Sequence, residues 1–100
     1  MKMIYISCNV STTHIITELL DAAGIDEYQI SDDVAARVFT GKHRMNTSVW
    51  PGYNNIIFVP LCDDKADEIT NKLRQYNASV QNTDELVSVG SWSLDDYFND

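Results

Sequence analysis

Two stretches of this chain repeat apolar residues at helical spacing, and short β-branched runs flank each of them, an alternation that few folds satisfy within 100 residues. In the first stretch Ile15, Ile16, Leu19, Leu20 and Ala23 fall on one face. Asn9, Ser11 and Thr12 offer capping oxygens ahead of it, and Gly24 suits the left-handed residue that closes a helix. The spacing predicts a helix from residue 11 or 12 to residue 23. In the second stretch Ala66, Ile69, Leu73 and Tyr76 share a face, and Lys65, Asp67, Glu68, Lys72 and Arg74 take the opposite one. Asp63-Asp64 caps this second helix, where negative charge suits the helix dipole.

The runs between the helices read as strands. Residues 3–8 alternate, with Ile4, Ile6 and Cys8 on one face and Met3, Tyr5 and Ser7 on the other. Residues 27–30 and 34–41 read together as one long strand, with Asp32-Asp33 as a bulge or break. Residues 42–53 follow neither periodicity and contain the turn dipeptide Pro51-Gly52. A continuous apolar strand follows at 55–61, then the second helix, a polar loop at 77–84, a last strand at 86–90 and an aromatic tail at 92–98. The order β-α-β-β-α-β predicts an α+β, ferredoxin-like antiparallel sheet with two helices on one face, built as one domain over residues 1–100.

That architecture leaves one sheet face uncovered. Met3, Tyr5, Ile56 and Phe58 would line it, whereas a solvated antiparallel face is normally polar. An apolar open face wants a partner, so a homo-oligomer is expected. A chain this short buries only about 60–65% of its unfolded surface, which association would increase. No 18-residue apolar run exists to span a membrane, and the N-terminus reaches Ser7 and Asn9 too soon for a signal-peptide core. A cytoplasmic location is expected. Cys8 and Cys62 lack metal-finger spacing, and each closes an apolar run, so both read as small buried hydrophobes.

The net charge of −8 argues against sequence-independent nucleic-acid binding, which needs a basic face. Its distribution says more. Residues 34–62 hold no acid, and Arg37, Lys42 and Arg44 give them +3, with His43 beside them. The other four cations against all fifteen acids leave the rest at −11. In the expected topology the 41–53 loop, the start of helix one and the 77–85 loop share one end of the sheet. Lys42, Arg44 and His43 beside a helix N-terminus make a candidate seat for phosphate, a nucleotide or bicarbonate. Alternatively these side chains form a solvated loop tip or pair with Asp84 and Glu85. Cys8, His14 and His43 are candidate ligands for Cu, Zn or Ni at the same end. Trp50 either stacks on a ligand base or partner side chain, or packs within its own loop. Cys62 lies about 20 Å away, a strand length, so it shares no site with Cys8. No nucleophile motif or carboxylate pair in a cleft is evident, so an enzyme is not expected, and the residues name no cofactor.

Val38-Phe39-Thr40-Gly41, a loop, Pro51-Gly52-Tyr53-Asn54-Asn55-Ile56-Ile57-Phe58-Val59 and an Asp-Asp helix start together resemble the P-II-like signalling proteins and the related CutA-type cation-tolerance proteins. The resemblance implies a homotrimer with ligand pockets between subunits. It also implies that the 41–53 loop, with Gly41, Lys42, His43, Arg44 and Trp50 as its binding residues, contacts a transporter or enzyme target in response to a small effector. Members that bind ATP carry a Gly-rich loop before the last strand; here residues 77–85 hold neither Gly nor Lys, and Asp84 and Glu85 would repel phosphate. The alternatives are a CutA-like protein that binds divalent metal through Cys8, His14 and His43, and a purely structural assembly module.

Overall fold

The computed structural model describes residues 1–39, 41–45 and 52–100. Strand β1 (Lys2–Asn9) buries Ile4, Ile6 and Cys8 and leaves Met3, Tyr5 and Ser7 half-buried, as the alternation requires. One 3-10 turn, Val10–Thr12, leads into α1 (Thr13–Ala22), and the Asn9 side chain accepts from the Ser11 N–H at 3.2 Å. The helix closes on Gly24, whose φ of 78° lets Gly24 N–H reach Asp21 O and Ile25 N–H reach Leu20 O, each at 3.0 Å. Ile25 is buried in the same cluster as Leu20, the apolar clasp that accompanies this helix end.

The stretch expected as one long strand is divided. β2 (Gln29–Val34) pairs with the sheet, but its register shifts between Ser31 and Val34, and Asp33 takes a left-handed φ of 60°. Beyond that bulge β3 (Ala36–Arg37) leaves the sheet and, among the described residues, pairs with β4 (His43–Arg44), Ala36 opposite Arg44 and Arg37 opposite His43. The Asp32-Asp33 bulge redirects the chain, so the root of the arm is a small hairpin instead of a continuation of the sheet. Val38 N–H donates to Lys42 O at 2.9 Å, Gly41 N–H donates to Val38 O at 2.8 Å, and Gly41 supplies the φ of 86° that the turn needs.

β5 (Asn54–Leu61) runs antiparallel to both β1 and β2, and α2 (Asp63–Ser79) follows. A second 3-10 turn, Thr83–Glu85, precedes β6 (Ser88–Ser93), which pairs antiparallel with β1. The sheet order is β2-β5-β1-β6, the ferredoxin-like arrangement. The last strand lies further along the chain than 86–90, because Asn77, within α2, brackets Val87 with two 2.9 Å hydrogen bonds and delays pairing until Ser88. Trp92 therefore belongs to the strand, opposite Met3. Ile4, Ile6, Ile57 and Val59 pack with Ile16, Leu20, Ile69 and Leu73, each fully buried. Each such side chain contributes about 1.5–3 kcal/mol through removal from water.

On the opposite face Met3, Tyr5, Ile56 and Phe58 remain half-buried. The Tyr5 and Phe58 rings meet edge to face, their centroids 6.0 Å apart. Cys62 departs from expectation: it is exposed, because β5 ends on buried Leu61 and the chain turns outward to start α2. Beyond β6, Leu94 N–H donates to Met1 O at 3.0 Å and the Tyr97 hydroxyl donates to Glu27, so the tail is tied across this far end. Among the described residues no helix is long and apolar enough to cross a membrane.

Candidate functional site: the root of the basic arm

The hairpin carries the basic segment to the end of the sheet where β1 gives way to α1. Tyr53 O accepts from Val10 N–H at 3.1 Å, which pins the returning strand of the arm to the first helical turn. One residue later Asn54 is buried, and its Nδ2 donates to Ser7 Oγ at 3.0 Å. That leaves Asn54 Oδ1 facing the hairpin, where Arg44 donates to it at 2.9 Å. A guanidinium whose side chain is only 8% exposed is thus fixed against a polar anchor in the sheet.

The charge of Arg44 is met from the loop before β6. Asp84 Oδ1 lies 3.5 Å from one Arg44 nitrogen and 2.7 Å from Lys42 Nζ. Asp84 is placed by the turn at 83–85, its own N–H donating to Asn82 Oδ1 at 2.9 Å. The hydrogen bond from Lys42, aided by the positive charges of Lys42 and Arg44, holds the Asp84 carboxyl below the usual carboxylate range. Lys42, just before β4, and Arg44, within it, therefore converge on a single carboxylate oxygen from the opposite loop.

At the turn that leads into α1, Val10 N–H is taken by Tyr53 O and Ser11 N–H by the Asn9 side chain. Lys42 and Arg44 pair with Asp84, one of the two acids of the 77–85 region that stood as candidate partners. Glu85 instead gives its backbone carbonyl to the Tyr76 hydroxyl at 2.8 Å. Gly41 shapes the hairpin turn and half-buried His43 lies in β4 beside Arg44. Trp50, together with Thr40 and residues 46–51, lies outside the described residues.

The candidate metal ligands are arranged differently. Cys8 is buried, its Sγ 3.5 Å from Thr13 Oγ1 and 3.8 Å from Asn55 O, and burial pushes the thiol pKa up. His14 is exposed on α1, and His43 belongs to the arm hairpin. Among the described residues no three His, Cys, Asp or Glu side chains gather as a metal-holding group.

Two polar residues at the head of an apolar strand, part of the motif that carries the resemblance but not candidate site residues, hold the junction together. Asn54 anchors Arg44, and Asn55 accepts from Asp33 N–H at 3.1 Å while donating to Thr13 Oγ1 at 2.9 Å. Consecutive asparagines opening an otherwise continuous apolar run were the available signal, since a buried amide needs partners.

No protein-family model matches the sequence, and no curated protein matches it. Solved structures do match. CPII, a nitrogen regulatory PII-like protein from Thiomonas intermedia K12, is 15% identical in its complex with ADP, AMP and bicarbonate. The match covers 91% of this chain and 90% of CPII, with a TM-score of 0.66. Its complex with ADP and bicarbonate gives 0.68 over 91% and 84% of the two chains, again at 15% identity. A protein assigned as PII-like signalling from Thermus thermophilus is 18% identical and gives 0.67 over 91% and 83%. The chain has the fold of these PII-like proteins.

Proposed function

We propose that this protein is a PII-like regulatory binder: a small effector enters a cleft between subunits, alters the arm of residues 41–53, and the arm reports to a transporter or enzyme. The observation that carries the reading is the junction at the root of the arm. Lys42 and Arg44 join the hairpin, the sheet through Asn54 and the loop before β6 through Asp84. A charged ligand that engages those cations acts on three elements at once, which is what a signalling arm requires.

CPII, which shares the fold, binds ADP, AMP and bicarbonate, and this supports an anionic effector here. Asp84 and Glu85 oppose a triphosphate at the same loop, so a compact anion such as bicarbonate, or a nucleotide with fewer phosphates, suits the site better. The divalent-metal alternative has weaker geometric support, because Cys8, His14 and His43 form no ligand group. The reading is of a binding protein, not an enzyme, with cytoplasmic residence and a trimer formed through the open sheet face around Tyr5 and Phe58.

A thermal-shift series with bicarbonate, AMP, ADP, Zn and Cu tests it. An effector at 100 times its dissociation constant adds about 2.7 kcal/mol and raises the midpoint. No shift with any anion at millimolar concentration would remove the effector reading, and a shift with metals alone would favour the tolerance-protein alternative. Light scattering should give three times the 11.3 kDa chain mass; a monomer would refute the role given to the open face.

A further inference from the structure

The junction already contains an anion, and it belongs to the protein. Arg44 is buried and fixed by Asn54, which is in turn fixed by Ser7, so its position does not depend on Asp84. Asp84 is the less constrained partner. Its side chain is 39% exposed, it lies on a single 3-10 turn, and both ion pairs use one oxygen, Oδ1. The Arg44 contact is 3.5 Å, at the outer limit of hydrogen bonding, where a bidentate carboxylate pair approaches to about 2.7–2.9 Å. The seat is thus preformed, reachable from solvent and imperfectly filled.

From this we infer that Asp84 is an internal competitor, whose carboxylate occupies the place that an external oxyanion takes between Lys42 and Arg44 and so sets the concentration at which the arm responds. The inference rests on the effector-binding reading above and adds the mechanism of its threshold. The exchange is nearly neutral in charge: an entering anion replaces a carboxylate on the same two cations, while Asp84 is released to water. A small planar anion such as bicarbonate could place two oxygens against the guanidinium, which the tether of Asp84 does not achieve. Displacement would also separate the arm from the loop before β6, since Lys42 and Arg44 hold the two together through Asp84.

If the internal pair is formed about five times as often as it is open, an external anion binds about sixfold more weakly than to an empty seat, a difference of about 1 kcal/mol. Calorimetric titration of sodium bicarbonate and of AMP at fixed ionic strength reads this directly. Asp84→Asn, which keeps the shape and removes the charge, should bind about fivefold or more tightly than the natural protein. The gain should vanish when Lys42→Met is added. Asp96→Asn, which changes net charge equally but lies in the exposed tail, should leave affinity near the natural value. Bicarbonate or AMP binding that Asp84→Asn fails to tighten overturns the inference while leaving effector binding intact. Equal tightening by Asp96→Asn also overturns it, as a general charge effect. Absence of binding by both the natural protein and Asp84→Asn overturns the effector reading itself. Asp84→Ser supplies the same comparison should the asparagine variant fold poorly.

Discussion

Asn55 should be the residue through which the root of the arm is most easily damaged without touching a charge. It is 5% exposed, and its carboxamide bonds in two directions, to Asp33 N–H at 3.1 Å and to Thr13 Oγ1 at 2.9 Å. The first bond supports the left-handed bulge that turns the chain out of β2 toward the hairpin, and the second ties β5 to the start of α1. In Asn55→Ala the Asp33 N–H loses its acceptor in a partly buried setting, which costs about 1 kcal/mol, and the bond to Thr13 is worth about 1 kcal/mol more. Thr13 keeps its other partner, Asn9 O at 3.2 Å, so no further penalty accrues there. The expected loss is about 2 kcal/mol, a midpoint shift of roughly 10 °C for a domain of this size. Urea denaturation at one fixed protein concentration measures it, with an unchanged slope expected because the surface exposed on unfolding stays the same. A double-mutant cycle with Thr13→Val should return a coupling of about 0.5–1 kcal/mol. A loss below about 0.5 kcal/mol for Asn55→Ala would refute both bonds, and strict additivity in the cycle would refute the bond to Thr13.

Three further outcomes follow from the same geometry. The Asp84 carboxyl is held below its ordinary range, so its ion pairs add stability above the unfolded value of about 3.9 and lose it as pH falls through the lower folded value. The stability difference between the natural protein and Asp84→Asn should therefore hold steady near neutral pH and shrink as pH falls below about 4, by no more than about 1 kcal/mol given the exposure of the pair; a pH-independent difference would contradict the pairing. Gly41→Val places a β-branched side chain at a φ of 86° and should cost about 1–2 kcal/mol, read by the urea midpoint, with a negligible cost showing that the hairpin turn relaxes freely. A thiol reagent should label exposed Cys62 at once and Cys8 only on unfolding, giving two kinetic phases; simultaneous labelling would contradict the burial that pushes the Cys8 thiol pKa up.

Which parts of this molecule were legible in advance follows from the range over which each signal acts. Alternation along 3–8 assigned Ile4, Ile6 and Cys8 to the core and Met3 and Tyr5 to the open face, because side-chain direction in a strand is set residue by residue. Gly24 marked the end of α1 for a similarly local reason, the φ that its closing hydrogen bonds demand. The same logic failed where neighbours in space decide. Residues 34–41 alternate as a strand should, yet the bulge at Asp33, held by an asparagine from β5, sends Ala36 and Arg37 into a hairpin of their own. Cys62 closes an apolar run like Cys8, but it falls one residue past the end of β5 and faces water.

Charge shows the division most clearly. That residues 34–62 are acid-free and basic is a matter of composition along the chain, legible before any fold is known. The order of elements likewise puts the acid-bearing 77–85 region at the same end of the fold. That Arg44 is buried on Asn54, and that Asp84, 40 residues away, reaches both Arg44 and Lys42, emerges only when the elements pack. An ion pair depends on ångström distances between side chains from separate elements, and those distances are fixed by strand register and packing, which no local pattern encodes.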